Sequence, residues 1–184
     1  MPTIIVIAVI AIVGIVTALI YNRLVRLRNT MRSAWSDIDV QLKKRFNLLP
    51  SLVEIVKGYA KHEREVLENV TKARSQAMQA ATPGEAARSE NMLRDTLKSL
   101  FAVAEAYPDL KANENFVKLQ QQFQEIESDI ESARRYYNAI VRDYNTATET
   151  FPNVIIASMF GFKAAEFFEL EEPEARKPIR PDFS

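Results

Sequence analysis

Apolar positions fall into two regimes along this chain. From Thr3 to Ile20 they run almost without interruption, and no charged side chain occurs before Arg23. Beyond that point they recur three or four residues apart between polar ones. The first run, TIIVIAVIAIVGIVTALI, holds seven Ile, four Val and one Leu. As a helix, eighteen such residues reach about 27 Å, close to the hydrocarbon thickness of a bilayer. At roughly −0.3 to −0.6 kcal/mol each, its large aliphatics favour insertion by about 4–7 kcal/mol. The run has no amphipathic stripe, and no other segment is apolar enough to wrap it, so residues 1–22 are expected to form a transmembrane anchor. A basic n-region and a small-residue cleavage site are both missing, which separates it from a cleaved signal.

Charge sets the expected orientation. Arg23, Arg26, Arg28 and Arg32 follow the run before the first acid, Asp37, and none precedes it. The positive-inside rule places the C-terminal body in the cytoplasm and Met1 outside. Tyr21 falls where an interfacial aromatic belongs, and Arg23 and Arg26 are placed to snorkel to anionic headgroups. The expected topology is a single crossing of the membrane.

The second regime predicts long helices. Phe116, Leu119, Phe123, Ile126, Ile130, Ala133, Tyr137, Ile140, Tyr144 and Ala147 make an a/d seam over Asn113–Thr150, a coiled-coil-like pattern about 55 Å long. Asn113 is a candidate cap, and Phe151-Pro152 a stop. Leu24, Leu27, Met31, Ala34, Ile38, Leu42, Phe46 and Leu49 continue from the anchor as one helix, which Pro50 should interrupt or bend. Ser51–Ala80 resumes with Val53, Val56, Ala60, Leu67, Val70 and Ala77 on one stripe. Thr82-Pro83-Gly84-Glu85 reads as a capping box opening a helix to about Ala106, with Leu93, Leu97, Leu100, Phe101 and Ala104 inward. Tyr107-Pro108-Asp109 stops it. Asn153–Leu170 reads as a short apolar helix packed on the bundle or on the bilayer face. The charged, proline-rich tail 171–184 is expected to be disordered. The fold class predicted is therefore all-α: an N-terminal transmembrane helix continuing into an antiparallel long-helix bundle over residues 23–170.

Composition narrows the function. Twenty-four basic and 24 acidic residues balance, so the basic footprint of a nucleic-acid binder is missing. There is no cysteine, which excludes disulfides, thiolate metal sites and thiol chemistry. No glycine-rich phosphate loop or nucleophile elbow occurs. The lone histidine, His62, stands near Glu63, Glu65 and Glu68, and His62 and Glu65 would lie one helical turn apart. A di-iron bundle requires Glu-x-x-His on two helices and further glutamates, so the bland reading, a polar residue on an exposed helix face, is preferred to a metal site. Trp35, Tyr136, Tyr137 and Tyr144 read as core next to the seam rather than as the lining of a binding site, and Lys43-Lys44-Arg45 as a solvated face rather than a ligand site.

Trp35, Asp37 and Asp39 form the one candidate interaction surface. Two acids two residues apart diverge on a helix and cannot form an acid/base dyad. If Ile38 faces the seam, they flank it about 100° to either side. At least one is expected to pair with Arg134, Arg135 or Arg142 of the facing helix, with docking of a partner as the alternative. Ala11, Gly14 and Ala18 share a small-residue face of the anchor that permits a homo-oligomer. No enzymatic activity and no cofactor is expected. The expected partners are the lipid bilayer and other proteins.

The collected motifs resemble the LemA family of bacterial membrane proteins. They are Tyr21-Asn22-x-Leu24-Val25-x-Leu27-Arg28-Asn29, Ala34-Trp35-Ser36-Asp37-Ile38-Asp39-Val40-Gln41-Leu42, Pro50-x-Leu52-Val53-Glu54, Gly58-Tyr59-Ala60-x-His62-Glu63, and the run from Phe101 through Tyr107-Pro108 to Asn113-Glu114-Asn115-Phe116. Tyr137-Asn138, Tyr144-Asn145 and Phe151-Pro152 complete the set, which covers about residues 21–170. Phe46-Asn47 departs from the more polar pair expected there. The resemblance implies a single anchor followed by a long antiparallel bundle, and no catalytic residues. The function expected is that of a membrane-anchored helical scaffold or adaptor of the bacterial envelope. The alternatives are a self-assembling membrane-organising protein and a metal-binding protein around His62.

Overall fold

A computed structural model describes residues 1–169; the expected disordered tail lies outside the described residues. The described chain is all-α: α1 (Pro2–Tyr59), α2 (Arg64–Ala77), α3 (Pro83–Glu105), α4 (Pro108–Lys111), α5 (Glu114–Glu149) and α6 (Asn153–Met159). It forms two compact units, one of residues 1–44 and 124–167, the other of residues 45–123 with 168–169.

In the first unit, α1 contributes Leu24, Ala34, Ile38 and Leu42 to the core, and α5 contributes Ile126, Ile130, Tyr137, Val141, Tyr144 and Ala147. The two helices run antiparallel: Leu24 packs in one cluster with Tyr144 and Ala147, and Trp35, further along α1, meets Tyr137, earlier in α5. The seam of α5 departs from the predicted one at its end. Val141 is fully buried where Ile140 was expected, and Ile140 is only half-covered. A straight helix at 3.6 residues per turn drifts about 20° per heptad against a 3.5 repeat, so after three heptads the buried position advances by one residue.

In the second unit the buried apolar residues are Leu49, Leu52 and Val56 of α1, Ala60 just after it, Leu67, Val70, Ala73 and Ala77 of α2, Leu93, Leu97 and Leu100 of α3, Leu110 of α4, and Phe116, Leu119 and Phe123 of α5. The predicted caps are formed. Glu85 N–H donates to Thr82 Oγ1 at 3.2 Å, and Thr82 N–H to Glu85 Oε2 at 3.3 Å. Asn113 Oδ1 accepts from the amides of Asn115 and Phe116.

Pro50 lies inside α1 without interrupting it, so of the expected interruption or bend the interruption does not occur. A proline inside a helix leaves the carbonyl four residues earlier without its usual donor. That carbonyl belongs to Phe46, and Arg74 of α2 donates to it from Nε at 2.8 Å. A side chain from another helix thus satisfies the orphaned group, and the stripe Leu49–Leu52–Val56 keeps its register through the proline. Arg74→Met should therefore lower stability by about 1–3 kcal/mol, the cost of a buried unsatisfied acceptor. In a Pro50→Ala background, where the new backbone N–H can take the carbonyl, the loss should shrink. Melting of the four chains of this double-mutant cycle measures the difference.

The break comes later, at residues 60–63. No proline and no positive φ marks it. Tertiary contacts hold it: Asn113 Nδ2 donates to the Tyr59 hydroxyl at 3.0 Å, and the Tyr107 hydroxyl donates to Glu63 Oε1 at 3.4 Å. The C-terminal helix is also shorter than predicted. α6 stops at Met159, Gly161 turns at φ 69°, and Phe162 N–H reaches back to Ala157 O at 2.9 Å. This is a Schellman cap, with the left-handed residue supplied by glycine. Residues 162–169 then continue without helix.

Candidate interaction surface

Ile38 is fully buried, so Asp37 and Asp39 flank the packed face of α1 as the helical geometry requires. Asp37 is exposed. Asp39 is half-covered and pairs with Lys43 along its own helix at 2.6 Å. Asp39 thus has an i,i+4 partner within α1. Arg135 likewise turns to Glu131 on its own helix, at 3.5 Å.

Trp35 is half-buried and packs on the Tyr137 ring with centroids 5.6 Å apart and planes tilted at 56°. Tyr137 and Tyr144 are core residues, while Tyr136 is exposed. Burial pushes the Tyr137 phenol up to about 12, with the Glu166 charge adding to the effect. Burial also raises Tyr144, against the pull of Arg28 and Arg32. A phenol protonated longer in the folded state than in the unfolded chain stabilises the fold below its unfolded value near 10, and that stability is lost as the pH climbs. The first unit should therefore lose stability between pH 10 and pH 12, and Tyr137→Phe should flatten that slope in a melting-against-pH series.

The Tyr137 hydroxyl donates to the Glu166 carbonyl at 2.9 Å. About two turns along α5, Asn145 holds Ala165 twice: Nδ2 donates to its carbonyl at 3.0 Å, and Oδ1 accepts from its amide at 2.8 Å. Phe162 is buried in the cluster of Leu24, Tyr144 and Ala157, with the Arg28 guanidinium 4.9 Å from its ring centre. The strip after α6 is clasped to α5 beside Trp35. The sequence reading missed this clasp; its signals were Gly161 after an apolar helix and the two Tyr-Asn pairs of α5.

It also missed the polar core of the second unit. Lys43 and Lys44 are solvated as expected, but Arg45 is 2% exposed and forms an ion pair with Glu90, 3% exposed, on α3. Each sits on its own apolar stripe, Arg45 between Leu42 and Leu49 and Glu90 between Ala87 and Leu93, so the charges at core spacing were the available signal.

The residues around His62 do not converge. His62 lies exposed in the turn between α1 and α2, not on a helix face, so its expected one-turn relation to Glu65 is not formed. Glu63 faces Tyr107, and Glu68 lines an open groove of about 990 Å³ among Lys57, Lys61, Arg64 and Lys72. Among the described residues no three acid or imidazole groups gather around a common point.

Fold and surface together define an all-α protein with a helical body and, among the described residues, one helix whose N-terminal part is long and apolar enough to cross a membrane. The chain belongs to the LemA family, whose model matches residues 34–183. It is similar to the magnetosome protein MamQ 2 of Paramagnetospirillum magneticum, 24% identical over 202 residues, covering 95% of this chain and 74% of that protein. Magnetosome protein MamQ of Magnetospirillum gryphiswaldense is 23% identical over 201 residues, 94% and 74% of the two chains. Protein LemA of Metamycoplasma hominis is 27% identical over 157 residues, 83% and 70% of the two chains.

Proposed function

We propose that this chain is a membrane-anchored helical scaffold or adaptor of the bacterial envelope. Residues Thr3–Ile20 span the inner membrane once, Met1 lies outside, and the body lies in the cytoplasm. The observation that carries this reading is the first third of α1. No residue of its apolar 18-residue window is buried by the rest of the chain, although the same helix, further on, carries a buried stripe. An isoleucine-rich surface of that size is stable only when something apolar surrounds it, and the arginines that follow it set the direction. The names of the relatives, a magnetosome protein and LemA, name no reaction. The body offers long polar helix faces, with Trp35, Asp37 and Asp39 as its candidate docking contact.

A reporter enzyme active only outside the cytoplasm should stay silent when fused after Ser184 and be active when fused before Met1; the reverse pattern overturns the orientation. Because Asp37 is exposed and Asp39 pairs only along its own helix, Asp37→Asn with Asp39→Asn should change stability by less than about 1 kcal/mol. Recovery of a membrane-extracted partner by the full chain should fall in that variant. Unchanged recovery would remove these residues from the docking surface. Self-association is the second reading, favoured by the uncovered face of Ala11, Gly14 and Ala18; light scattering in mild detergent that reports only monomer counts against it.

A further inference from the structure

No charged residue occurs between Glu149 and Lys163. α6 lies inside this stretch, and its polarity is the reverse of a solvated helix. Its inward side holds Asn153, Ile156 and Ala157, all buried. Its outward side carries Ile155, 55% exposed, and Met159, 65% exposed, four apart on one stripe beside Val154 and Ser158. Phe151, 81% exposed, precedes the helix, and Phe160, 51% exposed, caps its end. A surface helix in water presents charged and polar groups there.

The position of this face gives it a ligand. The Phe160 ring lies 4.8 Å from Tyr21, and Phe162 lies 5.8 Å from it. Ile20 and Tyr21 pack on the same cluster, and they close the apolar run of α1. The open face of α6 therefore sits at the level where the span leaves hydrocarbon. Beside it, a shallow groove of about 330 Å³ is lined by Arg23, Arg142, Thr146 and Thr150, with Asp143 as the one acid. Two guanidiniums at that level match lipid phosphates.

We propose that α6 is a second membrane contact. It lies in the headgroup region of the cytoplasmic leaflet with Phe151, Ile155, Met159 and Phe160 inserted, while Arg23 and Arg142 engage the phosphates. The occupant is lipid because the face is continuous with the uncovered apolar surface of α1 and is rimmed by cations. The proposal rests on the reading of α1 as a span.

The chain has no cysteine, so single cysteines at Ile155, Met159, Ile12 and Val117 each carry one environment-sensitive fluorophore. The full-length variants are reconstituted in phosphatidylglycerol–phosphatidylethanolamine vesicles bearing nitroxides on either the headgroup or the deep acyl chain. Labels at Ile155 and Met159 should lose emission mainly to headgroup nitroxides, the label at Ile12 to deep ones, and the label at Val117 to neither. Quenching at Ile12 with none at Ile155 or Met159 overturns the α6 contact and leaves the span standing. Absence of deep quenching at Ile12 overturns the span, and the α6 proposal with it. Blue-shifted, unquenched emission at both α6 positions means a protein surface or a second copy covers them, and overturns lipid as the occupant.

Discussion

Glu90→Ala should destabilise the second unit by about 3–5 kcal/mol, because it leaves the Arg45 guanidinium buried without its carboxylate. Both side chains are almost wholly covered, so water cannot compensate for the loss. The size of the effect does not measure what the pair contributes to the fold. Taking both charges out of water carries its own penalty, and an apolar pair of similar volume is often as stable. Arg45→Met combined with Glu90→Leu should therefore recover most of the loss. Chemical denaturation of the single and double variants decides this. A Glu90→Ala chain that melts like the parent would show that the pair is solvated, and a double variant as weak as the single would show that the guanidinium has other obligations in the core.

Ile130→Asp should unfold the first unit or leave it loosely packed. Ile130 is 1% exposed, on the stretch of α5 that packs within that unit. Removing a buried isoleucine costs about 2–5 kcal/mol, and an unpaired carboxylate in its place adds a desolvation penalty of comparable size. The sum rivals the roughly 5–15 kcal/mol that stabilises a whole domain. Ile130→Val, which keeps the shape, should cost about 0.5–1.5 kcal/mol. Loss of the cooperative melt for the aspartate variant alone is the expected pattern, and equal melting of all three chains would place Ile130 at the surface.

The helices were legible because their periodicity reports burial directly. Phe116 through Ile130 and Leu24 through Leu49 face inward or partly inward where spacing put them, and Thr82 and Asn113 cap where their side chains allow. Pro50 misled because the remedy for its missing hydrogen bond, Arg74, lies on another helix, 28 residues beyond the Phe46 carbonyl it satisfies. The turn at residues 60–63 was hidden for the same reason, being held by Tyr107 and Asn113 rather than by a local breaker. Gly161 was a local signal, overridden by the apolar run on both sides of it. For the candidate surface, the flanking of Ile38 by two acids followed from helix geometry alone. Their partners did not, because an ion pair depends on side-chain reach: Lys43 is one turn away, and the arginines of α5 belong to another helix. Arg45 was hidden inside a basic triplet that looks uniformly solvated, although its spacing from Leu42 and Leu49 is that of a core residue.

The pair of hydrogen bonds between Asn145 and Ala165 makes a side-chain carboxamide stand in for a neighbouring strand. A strand is held by a ladder whose rungs reinforce each other, whereas residues 162–166 are held by one such mimic, by the Tyr137 hydroxyl and by the packing of Phe162 and Ala165. Their release would leave the hydrogen bonds inside α5 intact. The amide proton of Ala165 is then a local clock: its exchange with solvent deuterium follows the seating of residues 162–166, while the amides around Ile130 exchange only when the unit opens as a whole.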